Sequence, residues 1–449
     1  MELFIAQLAS APLEYFARAG GGGSGGGDGG GGIEFVLGYI PMHFIGALLA
    51  KARKVNLALS IVVQIIGWIL ALAYSIMWIM IFRGYGAFIA IAAMAGMGAG
   101  LYSWFSKLRQ SKQVANQLAV SSQADAAWDE ARLVEFASSV FMRYQYDWST
   151  LNTESMKGYM TEYYHYHASL LVYILQTMGR QNLMENIVIK QATITSVFDS
   201  EDNTQDSFTI GFMASAQDKL VESQTGEVIF VDTNDFTEHW TFVRSGNNWL
   251  LSDIRQETED VYSLNGAMMQ FASSQGYHYS PDMGWLFIPR RGQLFGEAKF
   301  GTSDINNHIV GLYKGALLTQ LYTYAVNPAS AGKSYVIAQV NVPKQYGNII
   351  VRRRGPINWF GIKNLQKVET EWTKFNDKYE VYASSYEGAT SFELLNPTYM
   401  EQLEALPFKV NIEVVDNVIY IYTDEAKADT ATYQTMLDLT NKAFVELRL

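Results

Sequence analysis

The sequence predicts an α+β protein that begins in a membrane and ends in two soluble domains. Three observations carry this reading. Two long charge-free runs lie between residues 55 and 105, helix-periodic apolar residues start near Arg132, and stretches alternating apolar with polar residues follow, first to about residue 255 and again beyond residue 330.

Composition narrows the class. At roughly 150 residues per domain, 449 residues suggest two or three folded units. With 49% hydrophobic and 17% charged residues and no cysteine, the chain is not disordered, collagen-like or disulfide-stapled, and it has no thiolate nucleophile, cysteine-ligated zinc or iron–sulfur cluster. The net charge of -11 is unevenly spread: residues 1–112 hold eight Lys/Arg against four Asp/Glu, leaving 25 against 40 for the rest. A basic membrane-side third joined to an acidic soluble portion argues against nucleic acid as a partner.

Residues 1–32 form an N-terminal segment and tether. Glu2 and Glu14 precede the first cation, Arg18, the wrong charge order for a secretory signal, and Gly20 to Gly32 is almost pure glycine, a flexible link. Residues 33–54 contain Glu34, Pro41 and His43, and read as a broken or interfacial helix, with His43 solvated or bonded to backbone freed by the proline. Residues 55–106 are the hairpin. Its first run, Val55 to Phe82, is 28 residues without a charge, about 42 Å as helix against a core of about 30 Å. After Arg83 and Gly84, Tyr85 to Phe105 supplies the second. Lys51, Arg53 and Lys54 precede the pair and Lys107, Arg109 and Lys112 follow it, so the positive-inside rule puts both outer ends on the cytoplasmic side of a bacterial membrane, or the matrix side of a mitochondrial one. Ala92, Gly96 and Gly100 share a face of the second run, a small-residue stripe for packing within the hairpin or between copies of the chain.

Residues 107–131 read as a helical extension and linker, and 132–260 as the first soluble domain. Leu133, Phe136, Ala137, Val140, Phe141 and Tyr144 fall at helical spacing, and Met156 to Leu175 gives one or two further helices. Strands are expected over Ile187 to Phe198, Asp206 to Ala216, Val228 to Arg244 and Trp249 to Arg255, the last two turned by Ser245 to Asn248. In residues 261–449, a second α+β domain, Lys333 to Val342 and Asn348 to Arg354 alternate as strands, Pro397 opens a helix to Leu406, and Asp416-Asn417 turns a hairpin.

Three stretches of the first domain, VEFASSVFMRYQYDWSTLNTESMKGYMT, NLMENIVIKQATITSV and FTEHWTFVRSGNNWLLSDI, resemble the membrane-tethering subunit of the mitochondrial inner-membrane import motor (translocase subunit forty-four) and its bacterial relatives. The resemblance implies a cone-shaped fold like that of nuclear transport factor two, with helices covering a curved sheet around a pocket, and a non-enzymatic role in membrane-associated protein handling. This chain departs from the peripheral matrix proteins of that family in carrying its own hairpin, as in the family's bacterial-type members. More weakly, FNDKYEVYASSYEGATSFELLNPTYMEQLEAL and VNIEVVDNVIYIYTD resemble a bacterial membrane-associated domain of unknown function.

No catalytic set, cofactor or metal centre is expected. Ala331-Gly332-Lys333-Ser334 imitates the end of a phosphate loop, but Asn327 stands where the first glycine belongs and a strand follows where a helix is required. Glu162, His165 and His167 read as a polar helix edge rather than ligands. The aromatics of the first domain are read mainly as core, with Trp148, Tyr163 and His239 nominated at the mouth of the cone. Arg352, Arg353 and Arg354 read either as a solvated sheet edge or as a contact for anionic headgroups or an acidic partner. The expected function is a membrane-anchored scaffold for a protein partner, assisting translocation or membrane-complex assembly; the alternatives are a cone pocket that binds or transforms a small molecule or lipid, and a structural subunit of a larger membrane complex or homo-oligomer.

Overall fold

No proline occurs between Pro41 and Pro281, so a helix begun in the apolar run meets no backbone that must break it. Helix α1 extends from Leu57 to Ala124 in the computed structural model, which describes residues 45, 46, 49, 57–256, 266–287, 304–325, 334–354, 364–384 and 395–446. Trp68 and Gly98 would lie roughly 45 Å apart on a straight helix. The Cβ position of Gly98 nevertheless comes 4.0 Å from the Trp68 ring, so the helical segment doubles back between them, with Arg83 midway. Fully buried Leu49 packs on Ala71, above Gly67, where any added Cβ would meet the Leu49 side chain at 2.3 Å. Gln64 Nε2 donates to the Leu49 carbonyl at 2.8 Å, tying that stretch to the first limb. The tether, His43 and the side chains of Ala92, Gly96 and Gly100 lie outside the described residues. Among the described residues no helix is long and apolar enough to cross a membrane; the first charge-free run begins outside that set, and many side chains of both runs lie outside it.

The chain divides into two units, residues 1–120 and 121–449. In the second, α2 (Glu130–Ser149), α3 (Thr153–Met156) and α4 (Glu162–Thr177) come first, each opened by a side-chain cap. Asp129 Oδ1 accepts from the Arg132 amide at 2.9 Å, Asn152 Oδ1 from Ser155 at 3.1 Å and Thr161 Oγ1 from Tyr164 at 3.2 Å, meeting backbone donors that a helix start leaves open. Five strands follow: β1 (Arg180–Phe198), β2 (Ser207–Glu222), β3 (Val228–Asp232), β4 (Phe236–Ser245) and β5 (Asn248–Gln256), all antiparallel, in the order β1-β2-β4-β5 with β3 also on β2. The single strand expected over Val228 to Arg244 is broken, because Asp232 accepts from the Asn234 amide at 2.9 Å and turns the chain.

The domain also begins earlier than residue 132. Trp128 is fully buried with its ring 5.0 Å from Trp249, and Asp125 pairs with Arg244 at 2.6 Å. Reading residues 107–131 as linker missed this because a lone tryptophan and aspartate in a polar stretch carry no periodicity. Arg244 binds three segments at once: its Nη1 also lies 3.0 Å from Asp206 Oδ2, and its amide donates to the Asp206 carbonyl at 3.0 Å.

Among the described residues the second sheet has nine antiparallel strands, ordered β11-β12-β10-β13-β14-β9-β8-β7-β6. They are β6 (His278–Gly284), β7 (Asp304–Tyr313), β8 (Leu317–Ala325), β9 (Ser334–Asn341), β10 (Asn348–Arg353), β11 (Gln366–Val368), β12 (Tyr379–Ala383), β13 (Asn411–Val415) and β14 (Val418–Thr423). One face, with Leu321, Ala338, Ile421, Ile412 and Val351, is buried under α5 (Gly266–Ser274), α6 (Thr373–Lys378), α7 (Pro397–Ala405) and α8 (Thr430–Glu446). Asn396 caps α7 ahead of Pro397, and Asp416 takes a φ of 56° in the β13–β14 turn. Replacing Arg244 by Ala should leave the fully buried Asp206 carboxylate unpaired and lower the stability of the full chain by about 3–5 kcal/mol, read by urea unfolding followed through tryptophan fluorescence.

Candidate functional site

Strand alternation sends Phe208, Ile210, Phe212, Ala214 and Ala216 of β2, and Trp240 and Phe242 of β4, to the helix-covered face of the first sheet. There the rings fill the space: Phe141 lies 4.7 Å from Phe212 and 5.0 Å from Trp240, and Phe208 stacks on Phe242 at 5.0 Å. These residues are core.

The same face changes character further along both strands, where Asp218 continues the parity of β2 and Glu238 that of β4. Asn182 Nδ2 donates to Asp218 Oδ1 at 2.5 Å, and Asn182 Oδ1 accepts from Trp148 Nε1 at 2.7 Å. Glu238 accepts from Trp240 Nε1 at 3.0 Å and from Gln256 Nε2 at 2.7 Å. On α2, Asp147 is buried, accepts from Tyr159 at 3.1 Å and faces Arg143 at 3.6 Å. Burial pushes the Asp218 carboxyl up to about 7 despite the Asn182 bond, with Asp232 and Glu238 adding repulsion. Burial likewise raises Glu238, against the hydrogen bonds from Trp240 and Gln256, and the Tyr144 phenol beside it. Two carboxyl groups and a phenol thus converge where each resists ionisation, an arrangement able to hold or pass a proton or to receive a polar ligand. Among the described residues no group of three or more His, Asp or Glu is placed to hold a metal.

Helices folded over one face of a five-stranded antiparallel sheet agree with the family model described as Tim44-like domain, which matches residues 114–256. This segment is a Tim44-like domain. The matched stretch takes in Asp125 and Trp128, as the packing does. The crystal structure of the mycobacterial trehalose monomycolate transport factor A, TtfA, is 10% identical with a TM-score of 0.31, over 41% of this chain and 96% of that one. The intermembrane-space region of the chloroplast protein ARC6 is 13% identical with a TM-score of 0.23, over 27% of this chain and 95% of that one. Both likenesses are weak. No curated protein matches the chain.

The nominated mouth residues of the Tim44-like domain do not come together. Trp148 is only 5% exposed and bonded to Asn182, so it is core rather than mouth. Tyr163 is 69% exposed on α4, with its ring 4.6 Å from His278 of the second sheet. His239 points to the opposite face of β4 from Trp240, beside Gly211. Arg352 and Arg353 end β10, which lies between β12 and β13 and so is not a sheet edge, and Arg354 follows it. Arg352 pairs with Glu380 at 2.9 Å and stacks 4.9 Å over Tyr382, which takes it away from headgroups or an acidic partner. Arg353 follows it on the strand and Arg354 is exposed. Of the polar helix edge, His165 meets the Thr153 carbonyl at 2.9 Å while His167 turns elsewhere, and Lys333 of the phosphate-loop imitation lies outside the described residues. Asp218 and Glu238 were not singled out from sequence, though a carboxylate in phase with inward aromatics is a readable signal.

His167 meets the second sheet, its ring 5.2 Å from His278 and its Nε2 3.4 Å from Ser280 Oγ, with Tyr163 and Tyr166 against the same His278. Burial, with His278 and His308 nearby, lowers His167 to about 3; burial lowers His308 to about 4, opposed by its Gln320 bond, and lowers His278 as well. A histidine held neutral in the fold and titrating near about 6.5 when unfolded contributes stability that is complete above that pH and lost as pH falls. His167→Gln should therefore flatten the decline in melting temperature between pH 7 and 5. Asp218 acts with opposite sign, since its raised carboxyl contributes stability below about 4 that is lost as pH rises toward 7. In Asp218→Asn that loss should disappear, and thermal melts across pH 4 to 8 on both variants separate the two contributions.

Proposed function

We propose that this protein is a membrane-anchored scaffold that holds a protein partner through its Tim44-like domain, in translocation or membrane-complex assembly. The observation that carries the reading is the match of residues 114–256 to that domain, whose family is membrane-associated and protein-binding, directly after a folded-back helical segment. The charge-free run from Val55 to Phe82 and the Lys/Arg flanks on both outer sides support anchorage, with residues 107 onward on the cytoplasmic or matrix side. Anchoring confines the soluble domains and raises their effective concentration for anything bound to the same surface.

The packed aromatic core moves the expected contact to the outside of the domain. Tyr163, Tyr166 and Tyr173 are 69%, 44% and 45% exposed along α4, rigid amphipathic side chains of the kind that anchor interfaces. A second reading rests on Asp218 and Glu238: their convergence with Tyr144 supports a small polar ligand on the helix-covered face of the first sheet.

Affinity purification of the full chain in mild detergent, with mass spectrometry of what is retained, tests the scaffold reading. Partner recovery should fall at least tenfold in a Tyr166→Ala, Tyr173→Ala double variant whose melting temperature is unchanged, and membrane sedimentation should be lost when residues 1–106 are removed. Undiminished recovery in the double variant would move the contact off α4. Alkaline phosphatase fused after Leu449 and active in a periplasm would overturn the orientation.

A further inference from the structure

The second sheet buries both faces, and only one of them is apolar. Opposite the helix-covered face, the strand register sets Gln320 beside Gln339 and Gln339 beside Tyr420, which in turn faces Glu413. Asn341 is two residues along from Gln339 on the same side, and His308 joins from β7, its Nε2 2.9 Å from Gln320 Oε1. All of them are at most 6% exposed. Tyr322 donates to Gln339 Oε1 at 2.8 Å, yet Gln320 Nε2, Gln339 Nε2, His308 Nδ1 and both amide atoms of Asn341 have no partner. Five orphaned polar atoms on three adjacent strands is a concentration that folded interiors avoid unless something supplies the missing bonds.

The chemistry of the missing partner follows from the atoms left open. Three are amide N–H groups needing acceptors, one is an amide oxygen needing a donor, and His308 Nδ1 also needs a donor, because in the neutral ring the proton sits on Nε2, which donates to Gln320 Oε1. An anion would meet the buried Glu413 carboxylate, and a cation would meet mainly N–H donors. Hydroxyl groups both give and accept, and the rings of Phe287, stacked on His308 at 5.6 Å, and of Tyr322 and Tyr420 offer flat apolar surfaces beside them. We propose that this polar face of the second sheet is a binding site for a neutral, hydroxyl-rich ligand, a sugar or polyol, taken free or as the headgroup of a lipid. Helix α4 of the Tim44-like domain overlies its β6–β7 end through His167, His278 and Ser280, so that seam is the place for entry.

The test uses the full chain in lauryldimethylamine oxide, a detergent without sugar. Glucose, maltose and myo-inositol are titrated separately, and dodecyl maltoside below its micelle concentration. At least one probe should give a saturable rise in melting temperature of a few degrees, and native mass spectrometry should show the same probe bound one to one. Response to maltose and dodecyl maltoside alike identifies a free-sugar site; response to dodecyl maltoside alone identifies a sugar-headed lipid. The shift should vanish in Gln320→Leu and Gln339→Leu, with folding checked by circular dichroism. Absence of a shift and of bound mass with every probe, leaving buried water only, overturns the proposal, as does a shift that survives in both folded variants.

Discussion

Arg244 is the constraint on which the first soluble domain depends. Its guanidinium reaches Asp125 ahead of α2 and Asp206 in the β1–β2 connection, while its own backbone belongs to the end of β4. One buried cation thus fixes where the helices enter relative to the sheet. That fixed entry places Trp128 against Trp249 and closes the end of the core behind it. A buried cation held between two carboxylates gives register more than net stability, because desolvation of the three charges offsets much of their attraction.

The helix-covered face of the first sheet is divided by chemistry along its strands. Aromatic rings occupy the end near Arg244, where mutual packing excludes water and any guest. Beyond them lie Asn182, Asp218, Glu238 and Tyr144, where burial raises both carboxyl groups and the phenol above their ordinary values.

The two soluble domains meet through polar and aromatic side chains. Neutral histidines, tyrosine edges and a serine hydroxyl form that contact, which ties its strength to protonation. The second sheet adds a contrasting design, a mainly apolar face under the described helices and a buried polar face opposite. Because the side-chain period of a strand is two, one set of residues serves the core while the alternate set is free for another purpose.

The sequence by itself determined the order of the elements and most of their limits. Helix-periodic spacing from Leu133, the alternation of β2 and β4, proline at the start of α7 and the Asp416 turn are local signals, each readable because neighbouring residues state their own backbone geometry. The likeness to the import-motor tether was also legible, since FTEHWTFVRSGNNWLLSDI packs many inward and turn positions into one stretch. Only the tertiary structure decided which chemistry meets. Trp148 went to the core because Asn182, 34 residues on, takes its N–H. Arg352 went to Glu380 and β10 to the sheet interior because β13, whose Ile412 pairs with Val351, comes from far along the chain. Asp218 and Glu238, His167 and His278, and Gln320 and Gln339 are brought together by strand register and domain contact. Those depend on pairings between residues far apart in the chain, and no local pattern encodes them.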